Sequence, residues 1–271
     1  MSPILLAILV VTFIGLACGA VLAVASHFMS VPVNETEVKL RECLPGANCG
    51  ACGFTGCDGY AHALAEVEGT KTNLCVPGAD AVAQKIADVL GVESEDVIEQ
   101  VAFVRCSGDC INQKQKHIYA GIDSCKAAQM LYGGEGMCTY GCLGFGDCAK
   151  ACPHGGICIE NGIAHIDTRK CIGCGICAKT CPNHVIELFP DVRRVVVACS
   201  NHEKGAVVRQ KCSSGCIACG LCARNCEQGA ISIVNNLAVI DYDKCVNCGK
   251  CEEKCPVHAI KLADFSGKHR F

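Results

Sequence analysis

The chain has 271 residues, 28 of them cysteine, a formal net charge of −3 and no tryptophan. Aromatics are 5% of the residues, so a conventional apolar core is thin and something besides packing must hold the fold. Disulfides suit small secreted chains and zinc prefers isolated C-x2-C pairs on long spacers. The cysteine spacings below fit neither, and the lack of a basic block argues against a nucleic-acid partner.

The charge of −3 counts every thiol as neutral. Ligating thiolates are deprotonated, and five 4Fe–4S clusters with their thiolates would add about −10.

The first stretch, Pro3 to Ala25, contains no charged residue. At 1.5 Å per residue it reaches about 35 Å, enough for a bilayer core of about 30 Å. Ala23-Val24-Ala25 resembles a signal cleavage site, but no Lys or Arg precedes the run. The expectation is a retained transmembrane anchor over 1–27 in the lipid bilayer, with Cys18 as an apolar filler. Flanking charges do not orient it. Clusters fed by soluble low-potential donors would lie on the cytoplasmic side of the inner membrane.

Residues 34–92 read as a small helical domain. Cys49, Cys52, Cys57 and Cys75 follow C-x2-C-x4-C-x17-C, a 4Fe–4S arrangement with glycines at 50, 53 and 56. Amphipathic helices follow, with Tyr60, Leu64 and Val67, then Val82, Ile86, Val89 and Leu90, facing inward. Cys43 reads as packing. Residues 93–135 form a connector with extra cysteines: Cys106 and Cys110 in VRCSGDC, then Cys125.

The remainder repeats itself at an offset of 74 residues. Residues 136–190 and 208–264 each read as a two-cluster ferredoxin, in which the fourth cysteine of each run serves the other cluster. The second copy gives Cys216, Cys219, Cys222 and Cys255 for one site, and Cys245, Cys248, Cys251 and Cys226 for its partner. In the first copy Cys171, Cys174, Cys177 and Cys152 form a complete set. The other set has only Cys142, Cys148 and Cys181, because Phe145 stands where Cys219 stands. Cys138, four residues upstream of Cys142, is the economical fourth ligand; a three-iron cluster or an empty site are the alternatives. Between the runs, short hairpins should turn at Asn161-Gly162 and Asn235-Asn236. His154, His184 and His258 trail the Cys-Pro positions and read as surface or hairpin residues.

The expected fold class is α+β: a transmembrane helix, a small helical 4Fe–4S domain and two tandem bacterial-type 2[4Fe–4S] ferredoxin domains. The expected load is five 4Fe–4S clusters. Cys125 and Cys199 match at the offset of 74, which raises a sixth site at Cys106, Cys110, Cys125 and Cys199 against the bland reading of buried thiols. Cys158 and Cys212 are left over. No dinucleotide turn, P-loop or nucleophile with a base is visible, so neither NAD nor flavin is expected on this chain and no catalytic residue is assigned.

LPGANCGACGFTGC, VRCSGDC, CTYGCLGFGDCAKACP and VVVACSNHEKGAVVRQKCSSGCIACGLC together resemble the B-subunit family of the Rnf complex, in its long anaerobic form. The resemblance covers nearly the whole chain. It implies a translocase that oxidises reduced ferredoxin, reduces NAD⁺ and moves Na⁺ or H⁺. This subunit would take electrons from ferredoxin and pass them to the other Rnf subunits, which carry the NAD and flavin sites. The alternative is a membrane-tethered polyferredoxin serving a hydrogenase or a complex that reduces a redox sensor.

Overall fold

The computed structural model describes residues 3–28, 34–190 and 193–264. The chain opens with helix α1, Pro3–Phe28. Among the described residues, however, no helix is long and apolar enough to cross a membrane. The transmembrane helix in the expected fold class, and with it the single-pass bilayer anchor, is therefore not supported.

Helices α2 (Glu35–Cys43), α3 (Cys57–Glu66) and α4 (Ala79–Leu90) build the next unit, with a 3₁₀ turn at Val76–Gly78. The Asn34 side chain caps α2 by accepting from the Thr36 N–H at 3.0 Å. Left-handed Gly91 closes α4. Leu40, Tyr60, Leu64 and Ile86 meet in a core that also holds Cys57 and Cys75. The Tyr60 hydroxyl reaches the Lys71 carbonyl at 2.7 Å, pinning the long loop that leads to Cys75.

Strand β1 (Gln100–Val104) begins the first ferredoxin unit and is followed by α5 (Cys125–Met130) and α6 (Asp147–Ala151). Then come hairpin β2 (Ile157–Glu160) and β3 (Ile163–Ile166), helix α7 (Ile176–Thr180) and strand β4 (Ile186–Pro190). The second unit runs through β5 (Arg193–Val197), α8 (Gly205–Lys211) and α9 (Leu221–Arg224). Its hairpin is β6 (Ile231–Val234) and β7 (Leu237–Ile240), followed by α10 (Lys250–Glu253) and β8 (Ile260–Asp264).

Among the described residues the four ladders are antiparallel pairs: β1 with β4, β2 with β3, β5 with β8, and β6 with β7. Asn161 and Gly162, and likewise Asn235 and Asn236, have positive φ. That is the twist a two-residue hairpin needs. Each ferredoxin core is small and its thiols are part of it. Val185 and Ile186 pack with Cys148 and Cys177 in one unit, Ala259 and Ile260 with Cys222 and Cys251 in the other. The units meet where Val101 and Phe189 pack on Val196 and Ala263.

Candidate iron–sulfur sites

Short helices and left-handed turns set the thiols. In the N-terminal unit Cys57 opens α3, and its N–H donates to Asn48 Oδ1 at 2.9 Å. Burial pushes the Cys75 thiol up to about 11, and Cys57, Cys52 and Cys49 add to the rise by crowding it with like charge. All four expected residues are thus neighbours.

In the first ferredoxin unit, Cys152, Cys171, Cys174 and Cys177 line one cavity of about 370 Å³ of atom-free space, solvent-open parts included. Cys152 arrives from the end of α6, Cys171 and Cys174 from the loop before α7 and Cys177 from its first turn, so two distant segments share one cage. The Ala102 N–H donates to Cys171 Sγ at 3.4 Å. In the second unit, burial raises the Cys222 thiol, and the neighbouring Cys216, Cys219 and Cys255 add to the rise. Cys251 is pushed up to about 11 by burial, with Cys245, Cys222 and Cys248 beside it. Cys226 packs against the same core, and its sulfur accepts from the Ala230 N–H at 3.4 Å.

Around the incomplete run, Cys125 and Cys138 take different places. Burial pushes the Cys148 thiol up to about 12, and the neighbouring Cys142, Cys125 and Cys181 add to the rise. Cys125, at the start of α5, is buried. It is tied to α6 because Asp147 accepts from Ser124 Oγ at 2.8 Å and from the Lys126 N–H at 3.1 Å. Cys138 faces another cavity, shared with Cys106, Cys199 and Cys212. Of the residues considered for a sixth site, Cys106 and Cys199 therefore come together. Exposed Cys110 lines a separate pocket with Cys142, and Cys125 joins the Cys148 group. Cys158 is exposed on β2 and Cys43 packs at the end of α2.

Among the described residues, no three His, Cys, Asp or Glu side chains are placed to hold a single metal ion. A cuboidal 4Fe–4S core asks for something else: one thiolate per iron, at separate corners. Four thiols around a cavity, with backbone N–H groups aimed at their sulfurs, is a donor set that fits such a core.

Comparison with known proteins agrees with this chemistry. A family model described as "4Fe-4S binding domain" matches residues 164–187 and 238–261. One described as "Putative Fe-S cluster" matches residues 44–77. The chain is 47% identical over 246 residues to the B subunit of the proton-translocating ferredoxin:NAD(+) oxidoreductase complex of Clostridium ljungdahlii, covering 90% of this chain and 87% of that one. It is 38% identical to the B subunit of the Na(+)-translocating ferredoxin:NAD(+) oxidoreductase complex of Acetobacterium woodii, over 96% of this chain and 78% of the relative. It is 39% identical to the B subunit of the ion-translocating oxidoreductase complex of Methanosarcina acetivorans, over 97% and 100%. With thiol cages built as iron–sulfur sites and identity running along almost its full length, the chain belongs to the B-subunit family of the ion-translocating ferredoxin:NAD⁺ oxidoreductase (Rnf) complex, as an iron–sulfur electron-transfer subunit.

Proposed function

We propose that this chain takes electrons from reduced ferredoxin and relays them to other subunits of the complex on the way to NAD⁺, through cages on the cytoplasmic side of a membrane-associated assembly. The observation that carries the reading is the succession of cages. Cys49 of the N-terminal unit is close enough to Cys174 to raise its thiol, and its carbonyl accepts from Lys179 Nζ at 2.7 Å. The Cys171 and Cys148 groups share the core of the first ferredoxin unit; the Cys222 and Cys251 groups share the core of the second. A bound 4Fe–4S cluster supplies a reversible electron site. The protein's part is to hold the thiolates, exclude water and fix the spacing.

The assignment is five cages: Cys49, Cys52, Cys57 and Cys75; Cys152, Cys171, Cys174 and Cys177; Cys125, Cys142, Cys148 and Cys181; Cys216, Cys219, Cys222 and Cys255; Cys226, Cys245, Cys248 and Cys251. Cys125 replaces Cys138 as the donor that Phe145 displaced. Mixing the oxidised full chain with chemically reduced ferredoxin should bleach its visible absorbance. Bleaching by dithionite but not by ferredoxin would exclude ferredoxin as the donor. Cys125→Ala should remove or convert one cluster by iron count and EPR, whereas Cys110→Ala should leave all intact. Equal iron in both variants would refute the Cys125 assignment.

A further inference from the structure

We propose that Cys106, Cys138, Cys199 and Cys212 hold a further 4Fe–4S cluster at the boundary between the two ferredoxin units. The proposal rests on the iron–sulfur reading of the chain.

The four thiols line one cavity of about 340 Å³ of atom-free space. The Cys152–Cys177 cage, four thiols around about 370 Å³, is its counterpart within the same molecule. A Cβ placed on Gly141 would lie 3.5 Å from Cys106 Sγ and 3.7 Å from Cys138 Sγ. One placed on Gly108 would lie 3.3 Å from Cys212 Sγ. Two glycines thus leave room where three of the sulfurs converge.

The site is built twice over. Cys106 stands two residues past β1 and Cys199 two residues past β5, each within a Val-x-Cys-Ser sequence. The Cys142 N–H donates to Cys106 Sγ at 3.4 Å, and its counterpart Cys216 donates to Cys199 Sγ at 3.3 Å. Cys138 and Cys212 are themselves matched at the offset of 74. Each unit therefore contributes the same pair of thiols to one cavity. A buried filler has no need of that correspondence.

The remaining polar groups also point to a ligand. The buried Ser107 hydroxyl lines the cavity and has no hydrogen-bond partner. Buried Asn201 donates from its side chain to Cys138 Sγ at 3.3 Å and from its backbone to Cys199 Sγ at 3.5 Å. N–H groups converging on sulfur suit anionic thiolates better than thiols. The connector closes the cage from outside: Ser213 N–H donates to the Asn112 carbonyl at 2.9 Å, and Gln113 bridges to Cys212. The position also has consequence, since Cys106 adjoins Cys142 of one unit and Cys199 adjoins Cys216 of the next. A cluster here would join two otherwise separate pairs of cages into one series.

The test uses the full chain, purified without air and reconstituted with iron and sulfide. The wild type should hold about twenty-four irons and the Cys138→Ala/Cys212→Ala variant about twenty, with one EPR component lost. An unchanged iron count in the double variant overturns the proposal and leaves the five-cage reading standing. Zinc in place of iron in the wild type overturns both. Should the double variant misfold, Ser107→Ala and Asn201→Ala decide. At full iron, a shifted potential or g-values of a single cluster supports the site, and spectra identical to wild type overturn it.

Discussion

Ala218 shows how tightly single positions are held. It has φ +52° inside the second ferredoxin's first cysteine run, where the matched residue of the first unit is Gly144. A left-handed alanine costs about 1–2 kcal/mol, and a glycine loses about 0.4–1 kcal/mol more entropy on folding. Ala218→Gly should therefore stabilise the loaded chain by about 0.5 kcal/mol in anaerobic denaturant titration. A lower midpoint would show that the methyl group packs usefully. Single residues also mark where the sequence was readable. The ferredoxin runs, the N-terminal C-x2-C-x4-C-x17-C and both hairpin turns announce themselves by spacing. The donor proposed for the broken run does not. Cys138 is near Cys142 in sequence, but Cys125 reaches Cys148 through the Ser124–Asp147 bond, a tertiary contact that no spacing encodes.

At the scale of elements, hairpin and cysteine loop are fitted to each other. A Cβ on Gly144 (φ +77°) would come 2.5 Å from the Gly162 carbonyl oxygen at the tip of the β2–β3 hairpin. Gly144→Ala should thus cost about 2–4 kcal/mol through backbone strain and overpacking. It should also lower iron retention at Cys142 and Cys148, measured as faster iron release to a chelator. A release rate equal to wild type would mean the loop yields without disturbing the cage. The same scale explains why Cys106 and Cys199 do not coincide in the 74-residue repeat, although both fall in the sixth site that the sequence raises. Aligning the units by their cysteine runs sets Cys199 against Cys125, whereas aligning them by β1 and β5 sets it against Cys106. The connector lengthens the first unit between strand and run, so one uniform offset cannot register both.

Across the whole molecule, the N-terminal unit docks on the first ferredoxin through few atoms. Lys179 reaches the Cys49 carbonyl, and a Cβ on Gly173 would sit 2.4 Å from the Gln100 carbonyl oxygen and 2.9 Å from Val76 Cγ1. Lys179→Ala should loosen this contact while leaving every cage intact. The expected outcome is unchanged iron with weaker magnetic interaction between neighbouring reduced clusters in EPR. Unaltered spectra would show that the docking survives without the lysine. The apolar cores are small and include the thiols themselves, so metal occupancy and global stability should rise and fall together.

The cavity shared by Cys106 and Cys199 also imposes an order in time. Its four cysteines are divided between the two ferredoxin units, with Cys106 and Cys138 emerging from the ribosome first. Strand β1 waits as well, since its partner β4 begins at Ile186. At synthesis rates of about 5–20 residues per second, Cys106 precedes Cys199 by roughly 5–20 s. Throughout that interval the nascent chain carries unpaired thiols open to oxidation, so oxygen present during translation can damage a molecule that would be protected once complete.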